Sequence, residues 1–154
     1  DPQNFLLVLD QVRDPGNLGT ILRTAAATGV QAVFLTPGTV DAFSPKVLRA
    51  GMGAQFRLPI LSMEWIHIKS RVAAANLHVF LAATEGGLPY YESNFRKPLA
   101  LIIGGEAEGA AQDAVKLSNF RVYIPMPGGI ESLNASVAAG ILLSEVLRQR
   151  KEDR

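Results

Sequence analysis

The sequence predicts an α/β domain in which helices flank a mostly parallel sheet, and three observations predict it. Short apolar runs alternate with segments of helical period along the chain, the order that builds a parallel sheet from strand–helix units. Several of those runs are apolar at nearly every position, as a strand must be when helices cover both faces of its sheet. The length of 154 residues suffices for one domain with a sizeable core and is too short for two ordinary ones.

Taken in chain order, strands are expected at Phe5 to Leu9, Ala32 to Leu35, Leu77 to Ala82, Leu99 to Ile103 and Arg121 to Ile124. Helices are expected at Asn17 to Thr28, Pro45 to Met52, Met63 to Ala75, Ala111 to Leu117 and Leu133 to Arg150. In the last, Leu133, Val137, Ile141 and Val146, with Ala138 and Leu142 beside them, form an apolar stripe. Ser132 is its expected cap, and Arg148, Arg150 and Lys151 suit the negative end of its dipole as a solvated helix end.

Composition narrows the function classes. An apolar share of 48% and a charged share of 19% belong to a folded globular chain. A net charge of +1 gives no chain-wide footprint for nucleic acid, so a polyanion must be met by a local patch or by another part of the protein. The absence of cysteine excludes disulfides, zinc ribbons and cysteine nucleophiles; it is compatible with a reducing compartment, and the cytoplasm is the expected location. These 154 residues contain no signal-peptide pattern and no apolar run long enough to span a bilayer. The chain opens Asp1-Pro2-Gln3-Asn4 without a methionine, the start expected of a trimmed or separated domain with a further module upstream.

Three segments carry groups suited to chemistry. In Asp14-Pro15-Gly16-Asn17-Leu18-Gly19, a turn follows the first strand and Asn17 is the expected cap of the next helix. Arg23 follows six residues later amid Ala25, Ala26 and Ala27; on spacing alone a solvated or snorkelling arginine is the default reading. In the second, Leu99 to Ile103 runs into Gly104-Gly105-Glu106-Ala107-Glu108-Gly109. Glycines at the carboxyl end of a buried strand let backbone approach a ligand, although a tight turn reads the same way. The dinucleotide glycine spacing and the Walker phosphate loop are both absent. In the third, Ile124-Pro125-Met126-Pro127-Gly128-Gly129-Ile130-Glu131 leads into Ser132-Leu133-Asn134-Ala135-Ser136. Polar groups gather there at a helix start, where anions and polar ligands are favoured, though an ordinary loop-to-helix transition has the same outline.

His67 and His78 are isolated and lack metal-ligand spacing, so no metal is expected. Trp65, Tyr90, Tyr91 and Phe95 do not form an RNA-recognition aromatic motif.

Together, and in this order, the three segments resemble the SpoU-type branch of the SPOUT RNA methyltransferases across nearly the whole chain. Asn17 with Arg23 is similar to the first motif, Gly104 to Gly109 to the second, and Ile124 through Ser136 to the third. Pro45-Lys46-Val47-Leu48-Arg49-Ala50, Met52-Gly53-Ala54 and Leu58-Pro59 also resemble this branch. Where the family often has a small or amide residue before the glutamate and glycine after it, this chain has Gly105 and Ala107. The resemblance implies a deep trefoil knot at the C-terminal end, a homodimer with its active site near the subunit interface, and S-adenosylmethionine as methyl donor to a ribose 2′-hydroxyl of rRNA or tRNA. It further implies cofactor contacts at Gly104, Ile124 and Leu133, with Met126, Gly128 and Thr84 as neighbours. Arg23, Asn17, Glu106, Ser132 and Asn134 take the polar positions of catalysis and substrate placement. The module expected upstream would then bind RNA. Three other readings stay open: a catalytically silent RNA-binding or assembly protein, a base methyltransferase, and an ordinary Rossmann oxidoreductase, which the missing glycine fingerprint disfavours.

Overall fold

A computed structural model describes residues 3–105 and 111–152. Its strands are β1 (Phe5–Asp10), β2 (Ala32–Leu35), β3 (Ile60–Ser62), β4 (His78–Ala82), β5 (Leu88–Pro89), β6 (Leu99–Gly104) and β7 (Phe120–Tyr123). They form one sheet in the order β3-β2-β1-β6-β4-β7-β5, and every pairing among the described residues is parallel. The helices are α1 (Pro15–Thr28), α2 (Pro45–Gly51), α3 (Trp65–Ala74), α4 (Gln112–Leu117) and α5 (Ala135–Glu152). Alternation along β1 sorts the core into two layers. Phe5, Leu7 and Leu9 pack with Leu18, Ile21, Val47 and Leu143 of α1, α2 and α5, while Leu6 and Val8 pack with Ile68, Val72 and Ala114 of α3 and α4.

The five long apolar runs become strands within one residue of their expected ends. The two edge strands were not expected: β3 and β5 are three and two residues long, too short for a period to register. Helix α1 starts at Pro15, so its cap is Asp14 rather than Asn17: the Asp14 carboxylate accepts the Asn17 N–H at 2.8 Å.

Helix α5 departs most from expectation. It starts at Ala135, and its buried stripe is Ala139, Leu142, Leu143 and Val146, whereas Val137 is half exposed. Leu142 and Val146 of the expected stripe are buried; Val137 is misplaced because two polar residues, Glu145 and Gln149, complete the buried face. Gln149 accepts the Phe95 N–H at 2.7 Å and donates to the Ser93 carbonyl at 2.9 Å and to Glu145 at 2.9 Å. Arg150 is not a solvated end. It donates to the carbonyls of Phe95, Lys97 and Asn4, and its guanidinium lies 4.9 Å from the centroid of the Phe5 ring. Arg148 is held by Glu145 at 2.7 Å, and Arg154 lies outside the described residues.

One crossing organises the C-terminal half. β7 lies between β4 and β5, which are consecutive along the chain, so residues 83–87 must pass across β7. They do so in contact. A Cβ on Gly87, whose φ is +76, would stand 2.6 Å from the carbonyl carbon of Arg121 and closer still to its oxygen.

Gly87→Ala therefore meets both a backbone clash and an unfavourable φ. Urea denaturation should show it less stable by about 1–3 kcal/mol, while Gly128→Ala, at a position open to solvent, should leave the midpoint nearly unchanged. Acid should also act through Glu145. The Arg148 guanidinium bonded to it, aided by Gln149, holds its carboxyl below the ordinary value against the opposing pull of burial. Its contribution is thus present above the unfolded carboxylate value near about 4.3 and is lost as pH falls through the depressed folded value. Thermal melts should show Glu145→Gln with a lower Tm at neutral pH and a shallower fall on acidification than the parent.

Candidate functional site

Because the sheet is parallel, β1, β6, β4 and β7 end side by side, and their carboxyl ends open onto one cleft of about 820 Å³. Such a crevice is where parallel α/β sheets hold ligands, and its volume is that of a small-molecule site.

From β1 come Asp10 and, at the entrance of α1, Asn17. Asp10 is buried; its carboxylate accepts the Thr36 hydroxyl at 2.8 Å. Gly19, two residues further along α1, sits against α2, where a Cβ would overlap Ala50 and stand 2.7 Å from the Val47 carbonyl oxygen. Arg23 lies one more turn along. It is exposed, does not line the cleft and has no hydrogen-bond or ion-pair partner among the described residues.

From β6 come Gly104 and Gly105. Gly105 donates its N–H to the Asp10 carbonyl at 3.0 Å, and a Cβ there would stand 2.5 Å from Val12 Cα. This close approach of two strand-end loops explains glycine at a position where the resembled pattern has a small or amide residue. Gly104 is the opposite case, with no atom within 4 Å of where its Cβ would be, so its face is open to the cleft. Glu106 lies outside the described residues, as does the rest of that motif to Gly109.

The end of β4 contributes Thr84 and Glu85, and β7 runs into Ile124, Met126, Glu131, Ser132, Leu133 and Asn134. A turn closed by the Gly129 N–H on the Met126 carbonyl at 3.2 Å carries Gly128 into solvent, away from the cleft lining. The cap of α5 is Asn134, not Ser132. Its side-chain oxygen accepts the Ser136 N–H at 2.8 Å, the Ser136 hydroxyl at 2.6 Å and the Val137 N–H at 3.4 Å, so a helix N-terminus faces the cleft.

Of the site residues expected from sequence, the fold thus gathers Asn17, Thr84, Gly104, Ile124, Met126, Ser132, Leu133 and Asn134. Four charged residues were missed: Asp10, Glu85, Arg121 and Glu131 also line the cleft. Asp10 had a signal, being the charge that ends the otherwise apolar run Phe5 to Leu9; the others had none. With three carboxylates to one guanidinium in its lining, the cleft favours a ligand bearing positive charge. Among the described residues no cluster could hold a metal ion, and no helix is long and apolar enough to cross a membrane.

The SpoU rRNA Methylase family profile matches residues 4–144. A 23S rRNA (guanosine(2553)-2′-O)-methyltransferase of Bacillus subtilis is 39% identical over 90% of this chain and 56% of its own. The SpoU methyltransferase AviRb of Streptomyces viridochromogenes, solved in complex with AdoMet, superposes with a TM-score of 0.91 at 29% identity, covering 97% of this chain and 62% of its own. A structure solved for the 2-OH methylation of C/U34 on tRNA covers 99% of both chains, with a TM-score of 0.85 at 32% identity. The chain spans about half the length of the curated relatives it matches.

If Asn134 is the cap that these bonds describe, Asn134→Ala should lower stability by about 0.5–2 kcal/mol in chemical denaturation, and Asn134→Ser should recover most of it. Ser132→Ala should leave the midpoint unchanged.

Proposed function

Because the chain belongs to the SpoU rRNA Methylase family, we propose that it is the methyl-transferring unit of an RNA ribose 2′-O-methyltransferase that uses S-adenosylmethionine. The observation that carries this reading is the cleft at the joined ends of β1, β6, β4 and β7, lined by the residues of the third motif.

The residues present fit the cofactor. Gly104 leaves an open face, Ile124, Met126 and Leu133 offer apolar walls, and the irregular backbone between Ile124 and Asn134 can supply peptide donors and acceptors to an adenine edge. Asp10, Glu85 and Glu131 suit its positive groups. When bound, S-adenosylmethionine supplies an electrophilic methyl carbon on a sulfur whose positive charge disappears on transfer. An apolar wall does not oppose that loss of charge. In-line geometry is the main requirement, so positioning carries much of the rate. Asn17, Ser132 and Asn134 hold the nucleotide at the cleft rim.

The ribose hydroxyl must lose a proton, and Arg23 cannot take it, since a guanidinium stays protonated. Arg23 instead grips the neighbouring phosphate or the developing alkoxide, lowering the hydroxyl's pKa, and the proton leaves to a phosphate oxygen or water. Its exposure supports a role met only when RNA arrives. Glu106 orients Arg23 or an amide.

The reading includes a homodimer with the cleft near the subunit interface, supported by the exposed apolar Ile130 and Val137 beside it. It includes a cytoplasmic site of action, on likeness to bacterial rRNA enzymes. It also includes the trefoil knot. The crossing of β7 by residues 83–87 and the grip of Ser93 to Lys97 on the end of α5 support a C-terminal segment threaded through the loop between β4 and β6. rRNA and tRNA both remain within the proposed substrate class.

The protein should transfer tritiated methyl from S-adenosylmethionine to RNA, with mass spectrometry of the digested nucleosides placing it on ribose. Methyl on a base would replace this reading with base methylation; cofactor binding and RNA binding without transfer would replace it with an RNA-binding protein. Arg23→Lys should lower turnover about a hundredfold or more, and near-normal turnover would remove the two-pronged guanidinium contact.

A further inference from the structure

Charge is distributed unevenly along this nearly neutral chain. Between Asp14 and Glu64 the sequence carries four cations, Arg23, Lys46, Arg49 and Arg57, against one acid, Asp41. Lys46 and Arg49 stand three residues apart on α2, so they share a face, and Arg57 follows the 3-10 turn Ala54–Phe56. All three are exposed and have no ion-pair partner among the described residues.

Set among them is Phe56, 82% exposed, with Met52 and Phe43 also presented to solvent. Phe56 is held by a firm seat. Its neighbour Gln55 is buried and donates to the carbonyls of Ala42 at 3.0 Å and Val47 at 3.1 Å, while Met52 and Gly53 take left-handed backbone to make the turn. An aromatic ring this exposed, on backbone held in place by its neighbour, contributes nothing to the core; with cations close by in the chain it is the arrangement on which unpaired bases stack while their phosphates are neutralised. The surface also connects to the cleft. α2 is pinned to α1 at Gly19, and Asn17, two residues before Gly19, lines the cleft.

We propose that the exposed face of α2 and the turn after it, with Phe56 as the stacking ring and Lys46, Arg49 and Arg57 as phosphate contacts, docks the single-stranded RNA that flanks the methylated nucleotide. This rests on the reading of the chain as an RNA methyltransferase and adds the path by which RNA leaves the cleft. Single-stranded RNA is the partner because stacking needs bases free of a duplex. A second copy of the chain is a poorer occupant, because a two-fold interface would set these like charges against their own copies.

The test is fluorescence anisotropy of the protein with a labelled short single-stranded RNA across a salt series. Phe56→Ala should weaken binding about 5- to 150-fold and Phe56→Trp should preserve it. Arg49→Gln with Arg57→Gln should lower the slope of log affinity against log salt by about 1.4. KM for RNA should rise while kcat at saturating RNA holds, and affinity for S-adenosylhomocysteine by calorimetry should not change. These side chains are exposed, so Tm should hold as well. If the parent binds and methylates RNA but the variants match it, the surface is wrong and the methyltransferase reading stands. If the parent neither binds nor methylates RNA, both fall together. If Phe56→Ala alters sedimentation without altering RNA affinity, the face is a contact between copies and the proposal is overturned.

Discussion

The cleft depends on β7 being held between two strands that are neighbours in sequence but not in space. Had β5 followed β4 across the sheet directly, the end of β7 would lie at an edge, and its long irregular continuation would have no facing wall. With β7 inside, Ile124 to Asn134 must bend over the ends of β4 and β6, and Thr84 and Gly104 become its opposite walls. The requirement is met by residues with no side chain in the way: Gly87 where the connection crosses Arg121, and Gly105 where the ends of β1 and β6 meet.

Polar groups, more than apolar ones, fix the helix that completes this arrangement. α5 places Glu145 and Gln149 in its buried stripe, and both are bonded. A rotation that buried Val137 would withdraw Gln149 from the Phe95 N–H and the Ser93 carbonyl, and each such group left buried without a partner costs about 1–3 kcal/mol. Arg150 extends the same logic to the amino end of the chain: its guanidinium ties Asn4 to Lys97 across residues that are far apart in sequence. The two ends of the domain are therefore held by one side chain.

The legible part of the fold is the part written in burial. β1, β2, β4 and β6 are covered on both faces or nearly so, and their apolar runs could be read directly, whereas β7 buries only Val122 fully and was legible from the run into Ile124. β3 and β5 could not be read, because three and two residues carry no period. The stripe of α5 was misplaced in part for a different reason: hydrophobicity cannot register a buried glutamine whose partners, Ser93 and Phe95, lie on another segment. Both helix caps were assigned to the wrong polar residue, Asn17 for Asp14 and Ser132 for Asn134, since several polar residues precede each helix and only backbone geometry chooses among them. The motifs name eight residues that the fold brings to one cleft. Composition could not supply Asp10, Glu85, Arg121 and Glu131, which only the convergence of separate strands places there, and nothing in local spacing says that Arg23 stands outside the cleft.

Synthesis from the amino end gives the placement of β7 a consequence in time. Among the described residues β5 has no sheet neighbour but β7, and one edge of β4 waits for the same strand. When β6 has emerged and paired with β1 and β4, the growing sheet therefore has an open slot whose flanking backbone groups are unpaired. An unpaired strand edge is a template for other chains, and partly assembled parallel sheets are exposed to aggregation for as long as they wait. The nascent domain is thus most vulnerable just before β7 arrives, and that same late arrival seals the edge and builds the cleft.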